Sequence, residues 1–192
     1  MNKRFLICFL LAMLGLATNA QIQSYKKIVS IRSAEFNRHL PVVTLISKPF
    51  KSLKIRGIIR IKTSKKAFVF KDDGEMQQYK YEGELSNGQL VLIHELEPNT
   101  EEYYLINKQS GKIDTLFDKP IFFSNNNDFI CLEGEGTDVN QRIQIGSITN
   151  GGLVKKRLIN LPADLLPDRI YWSADKAIVI ENNRSKFYKL IL

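Results

Sequence analysis

The chain has 192 residues, with 28 Lys and Arg against 20 Asp and Glu, which gives a formal net charge of +8. Hydrophobic residues make up 44% of it, which is enough apolar surface for a hydrophobic core. The only cysteines, Cys8 and Cys131, exclude a scaffold that is held together by several disulfides.

The first twenty residues have the layout of a secretory signal peptide. Lys3 and Arg4 form a positive n-region, residues 5–17 form an apolar h-region, and residues 18–20 put small side chains at a cleavage site. The apolar run is shorter than the about 20 residues that a membrane-spanning helix needs, so we expect cleavage. Cys8 lies inside this run, which argues against lipidation. The sequence thus predicts removal of residues 1–20, a mature chain without a membrane span, and a periplasmic or secreted location.

Residues 21–192 are predicted to form a single all-β domain. After Gly57, turn-forming residues recur at short intervals, and the runs between them are rich in Ile, Val, Leu, Phe and Tyr. Short β-branched and aromatic runs at this spacing are typical of strands in antiparallel hairpins. Only residues 161–166 are compatible with a helix, and Pro162 and Pro167 restrict it to about one turn.

The second half of this domain repeats a phrase. The stretch PIFFSNNNDFICL (residues 120–132) is echoed by RIYWSADKAIVI (residues 169–180), within a unit of four short strands. Four strands in about 40–45 residues is the size of a β-propeller blade. The last unit ends after its third strand, and an N-terminal strand such as IQSYKKIVSI would supply the missing edge. Each unit carries a serine before its first turn: Ser86, Ser124 and Ser173.

The stretch PIFFSNNNDFICL, with RIQIGSITNGG after it, resembles the WD-like β-propeller blade repeats of exported bacterial proteins. The resemblance covers residues 81–192, about two and three-quarter units, and this chain has SNNN and SADK where Pro-Asp-Gly is usual. It implies a small or incomplete β-propeller-like fold, with basic N-terminal strands in residues 21–80 and blade-like repeats in residues 81–192. A β-sandwich is the alternative. Blades serve enzymes and binding proteins alike, so the resemblance implies no activity.

Charge is segregated along the chain. Residues 21–71 hold thirteen Lys and Arg and one Glu. Residues 72–141 hold four Lys and fifteen acids, and residues 142–192 hold nine Lys and Arg and four acids. In LKIRGIIRIK (residues 53–62) apolar and basic residues alternate with the period of a strand, so one face is predicted to carry a row of four cations. These cations are Lys54, Arg56, Arg60 and Lys62.

Such a row would suit an acidic partner, either a protein surface or an acidic glycan. The alternative is a solvated face whose cations discourage edge pairing and meet the acidic block across the sheet. Nucleic acid is not expected as a partner, because no aromatic residues are interleaved with the cations to stack on bases.

The sequence predicts no catalytic constellation. Cys131 is expected to be a small buried core residue, and His39 and His94 are too far apart to indicate a site. Neither a zinc-ligand spacing nor a Gly-x-Ser-x-Gly motif occurs, so no metal and no cofactor are expected. The sequence therefore predicts an exported, non-catalytic binding module that engages another protein. The alternatives are an immunity protein or inhibitor of a toxin or wall-acting enzyme, an acidic-glycan-binding protein, and a hydrolase with a carboxylate pair.

Overall fold

The computed structural model describes residues 21–22, 25–37, 53–85, 88–98, 100–123, 127–133, 141–149 and 152–192. The predicted signal peptide, His39, Ser86 and Ser124 lie outside these ranges. Within them the fold is all-β, as predicted, with sixteen strands in four sheets and one short helix. No helix in the described part of the chain is long and apolar enough to cross a membrane.

The first sheet contains β3 (Lys54–Ile55), β4 (Ile58–Lys62) and β5 (Ala67–Lys71). The second contains β6 (Gln78–Leu85), β7 (Leu90–Leu96), β8 (Glu101–Asn107) and β9 (Ile113–Leu116). The third contains β10 (Ile121–Phe122), β11 (Asp128–Leu132), β12 (Arg142–Thr149) and β13 (Gly152–Asn160), with β1 (Gln21–Ile22) parallel to β13. The fourth contains β14 (Pro167–Trp172), β15 (Ile178–Asn182), β16 (Phe187–Ile191) and β2 (Lys27–Ile31).

The predicted repeat is confirmed as a series of antiparallel hairpins. The two echoed phrases form the first hairpins of the third and fourth sheets, β10–β11 and β14–β15. The fourth sheet takes its last strand from the N-terminal part of the chain, because β2 pairs antiparallel with β16 and places Ile28 opposite Leu190. The prediction that an N-terminal strand completes the last unit is therefore confirmed. The propeller-like arrangement of the units stays a prediction.

The sheets pack face to face in chain order. One apolar cluster joins the first and second sheets, a second cluster joins the second and third, and another joins the third and fourth. β7 shows why: Leu90 and Leu92 point into one cluster, and Val91 and Ile93 point into the other. Cys131 is fully buried in the cluster between the second and third sheets, as predicted.

Two local features differ from the sequence prediction or refine it. Residues 161–166, the segment that the sequence restricts to at most about one helical turn, form a turn in which the Leu165 amide donates to Pro162 O at 3.0 Å. The helix is instead α1 (Ser33–Phe36), and its Phe36 ring packs on Phe187 with centroids 4.7 Å apart. Ser173 is buried, and its hydroxyl caps the β14–β15 turn, since Oγ accepts a hydrogen bond from the Ala177 amide at 3.0 Å.

Candidate binding site

The predicted row of four cations does not lie on one strand. β3 and β4 form a tight hairpin, in which Arg56 and Gly57 are the two turn residues with φ of 50° and 74°. Two successive positive φ values are those of a type I′ turn, the connection that matches the twist of paired strands. Gly57 adopts this conformation readily because it has no Cβ. The turn interrupts the alternation, and the prediction of a continuous row is wrong.

Lys54 faces the second sheet instead of solvent. It lies opposite Ile59, a fully buried residue, in the β3–β4 register. Its Nζ lies 2.5 Å from Asp72 Oδ2 and donates a hydrogen bond to Tyr79 O at 2.9 Å. Burial raises the pKa of Asp72, but the hydrogen bonds from Lys54 and the Tyr79 amide outweigh burial and lower it. Lys54 therefore connects the first sheet to the second.

Arg60 and Lys62 do lie together, on the side of the first sheet that faces away from the second sheet. They share this side with Lys71 of β5, because Lys71 lies opposite Ile58 in the β4–β5 register. The sequence analysis missed Lys71, although the alternation in AFVFK contains the signal. We call this side the outer face, and its members are Ile55, Ile58, Arg60, Lys62, Ala67, Val69 and Lys71.

The outer face combines positive charge with exposed aliphatic side chains. Ile55 is 72% exposed and Val69 is 51% exposed. In the described part of the chain, Arg60, Lys62 and Lys71 form no ion pair, whereas Lys54 does. The face therefore presents three solvated cations around an apolar patch.

A second group of ionisable side chains surrounds His94 on β7. The ring of His94 stacks on the ring of Tyr103, its cross-strand partner on β8, with ring centroids 4.1 Å apart. Nε2 lies 3.0 Å from Glu101 Oε2, and Nδ1 lies 3.6 Å from Glu82 Oε1 without a hydrogen bond. His94 thus occupies a cross-strand position opposite Tyr103.

The carboxylates near His94 differ in their surroundings. Glu82 is buried, which raises its pKa, but Lys80 and Lys119 at 2.7 and 2.9 Å outweigh burial, and the pKa is lowered. Burial raises the pKa of Asp118, and the charge of Glu101 raises it further. Glu82 is consequently neutralised by two lysines, which leaves it unsuited to act as a free base.

On the opposite face of β7, Glu95 is buried between the first and second sheets. It accepts hydrogen bonds from the Tyr79 hydroxyl at 2.7 Å, from the Tyr104 hydroxyl and from Gln77 Nε2. Burial raises the pKa of both tyrosines, and their hydrogen bonds to Glu95 raise it further. These contacts tie three strands together and show a structural role for Glu95.

The buried carboxylates at Glu82 and Glu95 are therefore held by donors of this chain. A glycosidase-type pair needs two acids that face each other across a gap for substrate or water, with the pKa of one acid raised. In the described ranges no group of three or more His, Cys, Asp or Glu side chains is placed to hold a metal ion.

Comparison with protein-family models, with curated proteins and with solved structures found no match to this chain.

Proposed function

We propose that the protein is an exported, non-catalytic binding module whose outer face engages an acidic surface of another protein. One observation carries this proposal: three cations without acidic partners in the described chain surround exposed aliphatic residues on a single sheet face. An exposed apolar patch with a charged rim is typical of surfaces that bind other proteins. An immunity protein or an inhibitor would be one form of this function.

The charge of the outer face suits an acidic partner. Cations at fixed positions on a sheet steer a negatively charged surface into contact and raise the association rate, an effect that salt screens. The aliphatic side chains Ile55 and Val69 would then slow dissociation, because their burial removes apolar surface from water. Acidic glycans remain a second ligand class for the same cations.

The alternative to a binding surface is a solvated face, on which the cations would pair with acids of this chain or protect a strand edge. The sequence suggested that they meet the acidic block across the sheet, but of the four predicted cations only Lys54 forms such a pair in the described ranges. β3 pairs only with Ile58 and Ile59 of β4, so in the described ranges Arg60 and Lys62 lie on an edge of the first sheet, and protection of that edge is a second role for them. The absence of acidic partners is the point that favours a binding role for the outer face.

The competing hydrolase hypothesis needs a pair of acids that are free to exchange protons with a substrate. In the described ranges the buried carboxylates Glu82, Glu95 and Glu181 are bound by lysines, by tyrosines and by Arg169, respectively. This arrangement supports a binding module over a hydrolase.

A charge-reversal variant tests the proposed surface. A triple variant, Arg60→Glu, Lys62→Glu and Lys71→Glu, should fail to capture the partner that the wild-type protein recovers from the native envelope fraction. With that partner purified, we expect the association rate at low salt to fall at least about tenfold, because electrostatic steering is lost. An unchanged rate and an unchanged salt dependence would refute the outer face as the binding surface.

A matched control has the same change of net charge at other exposed positions. Lys27→Glu, Arg184→Glu and Lys186→Glu fit this purpose, because all three side chains are exposed on the fourth sheet and its β15–β16 turn. Equal losses in both triple variants would mean that net charge alone drives association. Export is tested separately by mass spectrometry of the purified protein, which should find Gln21 or its cyclised form at the N-terminus.

A further inference from the structure

A cavity of about 270 Å³ opens where the third and fourth sheets meet. Residues of β12 and β13 line one side, and the other side is lined by Phe123, which follows β10, together with Trp172 and Lys176 of the β14–β15 hairpin. This volume is just below the about 300–1,000 Å³ that is common for ligand pockets. The cavity therefore has room for a small molecule about the size of a single sugar ring.

Arg157 occupies an unusual position in the wall of this cavity. In the third sheet, Ile121 lies opposite Ile130, Ile130 opposite Ile145, and Ile145 opposite Arg157. These three isoleucines pack into the cluster between the third and fourth sheets, so Arg157 lies on the same inward side. A row of core isoleucines thus ends in a cation.

Arg157 is half-buried, and in the described ranges no carboxylate forms an ion pair with it. A guanidinium that is partly removed from water without an anionic partner is energetically unfavourable. A bound anion would supply the missing partner and accept hydrogen bonds from the guanidinium N–H groups.

Two aromatic rings and a second cation form the opposite wall. Phe123 and Trp172 meet edge to face with centroids 5.5 Å apart, and the indole Nε1 donates to Ile121 O at 3.2 Å. Lys176 places its Nζ 5.8 Å from the centre of the Phe123 ring. The indole is therefore fixed in orientation, with a positive charge at the rim next to it.

We infer that this cavity binds a small hydroxylated carboxylate with one sugar ring, that is, a uronic acid. The Arg157 fork matches a carboxylate in a bidentate manner, and Lys176 adds a second positive charge. Ser147, whose Oγ donates to Asp128 Oδ1 at 2.6 Å, lines the same cavity, and its hydroxyl oxygen offers an acceptor for a sugar hydroxyl. The apolar side of the ring would pack against the aromatic wall. This site is separate from the outer face and does not depend on the proposed function.

The chain contains one tryptophan, and it lines this cavity. Its fluorescence and its single indole N–H signal in an NMR spectrum therefore report directly on occupancy. The protein purified after expression of the full chain is titrated with glucuronic acid and, as the matched neutral sugar, with glucose. We expect a saturable shift of the Trp172 signal with a Kd of about 1 mM or lower for glucuronic acid. Glucose should bind at least about tenfold more weakly, because it lacks the carboxylate that Arg157 would hold.

Variants locate the binding. Arg157→Gln should weaken glucuronic acid binding at least about tenfold, to the level of glucose. Arg184→Gln makes the same change on the exposed β15–β16 turn, at the other end of the fourth sheet, and should leave binding unchanged. Lys176→Gln, at an exposed turn position, should weaken binding less than Arg157→Gln and serves as the deciding variant if Arg157→Gln does not fold.

The inference is overturned by any of three results. These are the absence of a saturable Trp172 shift with glucuronic acid, equal affinity for glucose, and unchanged affinity in a folded Arg157→Gln variant. If Arg157→Gln fails to fold, unchanged affinity in Lys176→Gln overturns it instead.

Discussion

Gly146 on β12 makes room for an aromatic ring, and its replacement by alanine is the sharpest test of the packing between the second and third sheets. Gly146 lies directly opposite Phe129 on β11, and the Phe129 ring lies over the space that a side chain would fill. A Cβ at this position would be 2.2 Å from Phe129 Cζ and 2.9 Å from Leu153 Cδ1. Ordinary carbon–carbon contacts are about 3.5–4.0 Å, so Gly146→Ala forces the ring to move.

The ring has little room to retreat. Phe129 is fully buried and packs against Phe122, with centroids 5.8 Å apart. Overpacking of a close-packed core typically costs about 1–3 kcal/mol, and the depth of this overlap places Gly146→Ala near the upper value. For a chain of this size, about 3 kcal/mol corresponds to a loss of roughly 6–12 °C in Tm.

Thermal and urea unfolding of the Gly146→Ala variant measure this loss. Phe129→Leu should also destabilise the protein, because it leaves a cavity, but it vacates the space that the new methyl group needs. The double variant should therefore be more stable than the sum of the single effects predicts by at least about 1 kcal/mol. A change of less than about 0.5 kcal/mol for Gly146→Ala, or strict additivity of the two changes, would show that the ring does not lie over Gly146.

Three further predictions concern the fourth sheet. Ser173→Ala should lower stability by about 1–3 kcal/mol in urea unfolding, because the hydroxyl is buried and bonds both the backbone and Asp175. The Ser173 hydroxyl, and after it Lys189, lower the pKa of Asp175 to about 2, so the ionised group stabilises the folded state above about pH 4. This contribution should fade as the pH falls from about 4 to about 2, and stability measured over that range should fall less in Ser173→Ala. Ser30 and Tyr188 lie directly opposite each other, so a variant with Ser30→Cys and Tyr188→Cys should form a disulfide on oxidation. The control variant with Ser30→Cys and Phe187→Cys should not. Equal cross-linking of both pairs would contradict the β2–β16 register.

The repeat and its missing strand could be predicted from the sequence because both are encoded locally. Strand runs and turn residues alternate at a regular spacing, and each hairpin follows from its own turn. The last unit has three strands where the others have four, and the unpaired edge of its last strand is expected to pair with another strand. The N-terminal apolar run around Ile28 was the available candidate, and it pairs with β16.

The row of cations was mispredicted for a specific geometric reason. In a hairpin with a two-residue turn, the residues on either side of the turn lie opposite each other and share a face. Ile55 and Ile58 therefore face the same way, and the alternation changes phase at Arg56 and Gly57. A strand pattern read straight through the turn consequently assigns Lys54 to the wrong face. Arg-Gly is a weaker signal for this turn than Asn-Gly, so the pattern alone did not show it.

The cavity beside Arg157 lay beyond sequence analysis because it depends on register between distant segments. Nothing near KKRLIN distinguishes Arg157 from neighbouring surface cations. Its inward placement follows only once Ile145 is known to lie opposite it. Trp172 then reaches the same cavity from another sheet.

The segregation of charge along the chain persists in the fold, and this has a consequence for binding. The four lysines of residues 72–141 all pair with acids of the same block: Lys80, Lys108, Lys112 and Lys119. In the described ranges Lys54 is the only cation of residues 21–71 that forms an ion pair with an acid of residues 72–141. Because Arg60, Lys62 and Lys71 form no ion pair in the described ranges, the outer face keeps its positive charge, and a partner that docks there meets that charge directly. The association rate should therefore fall steeply with ionic strength for the wild-type protein, and a partner whose binding is insensitive to salt must use another surface.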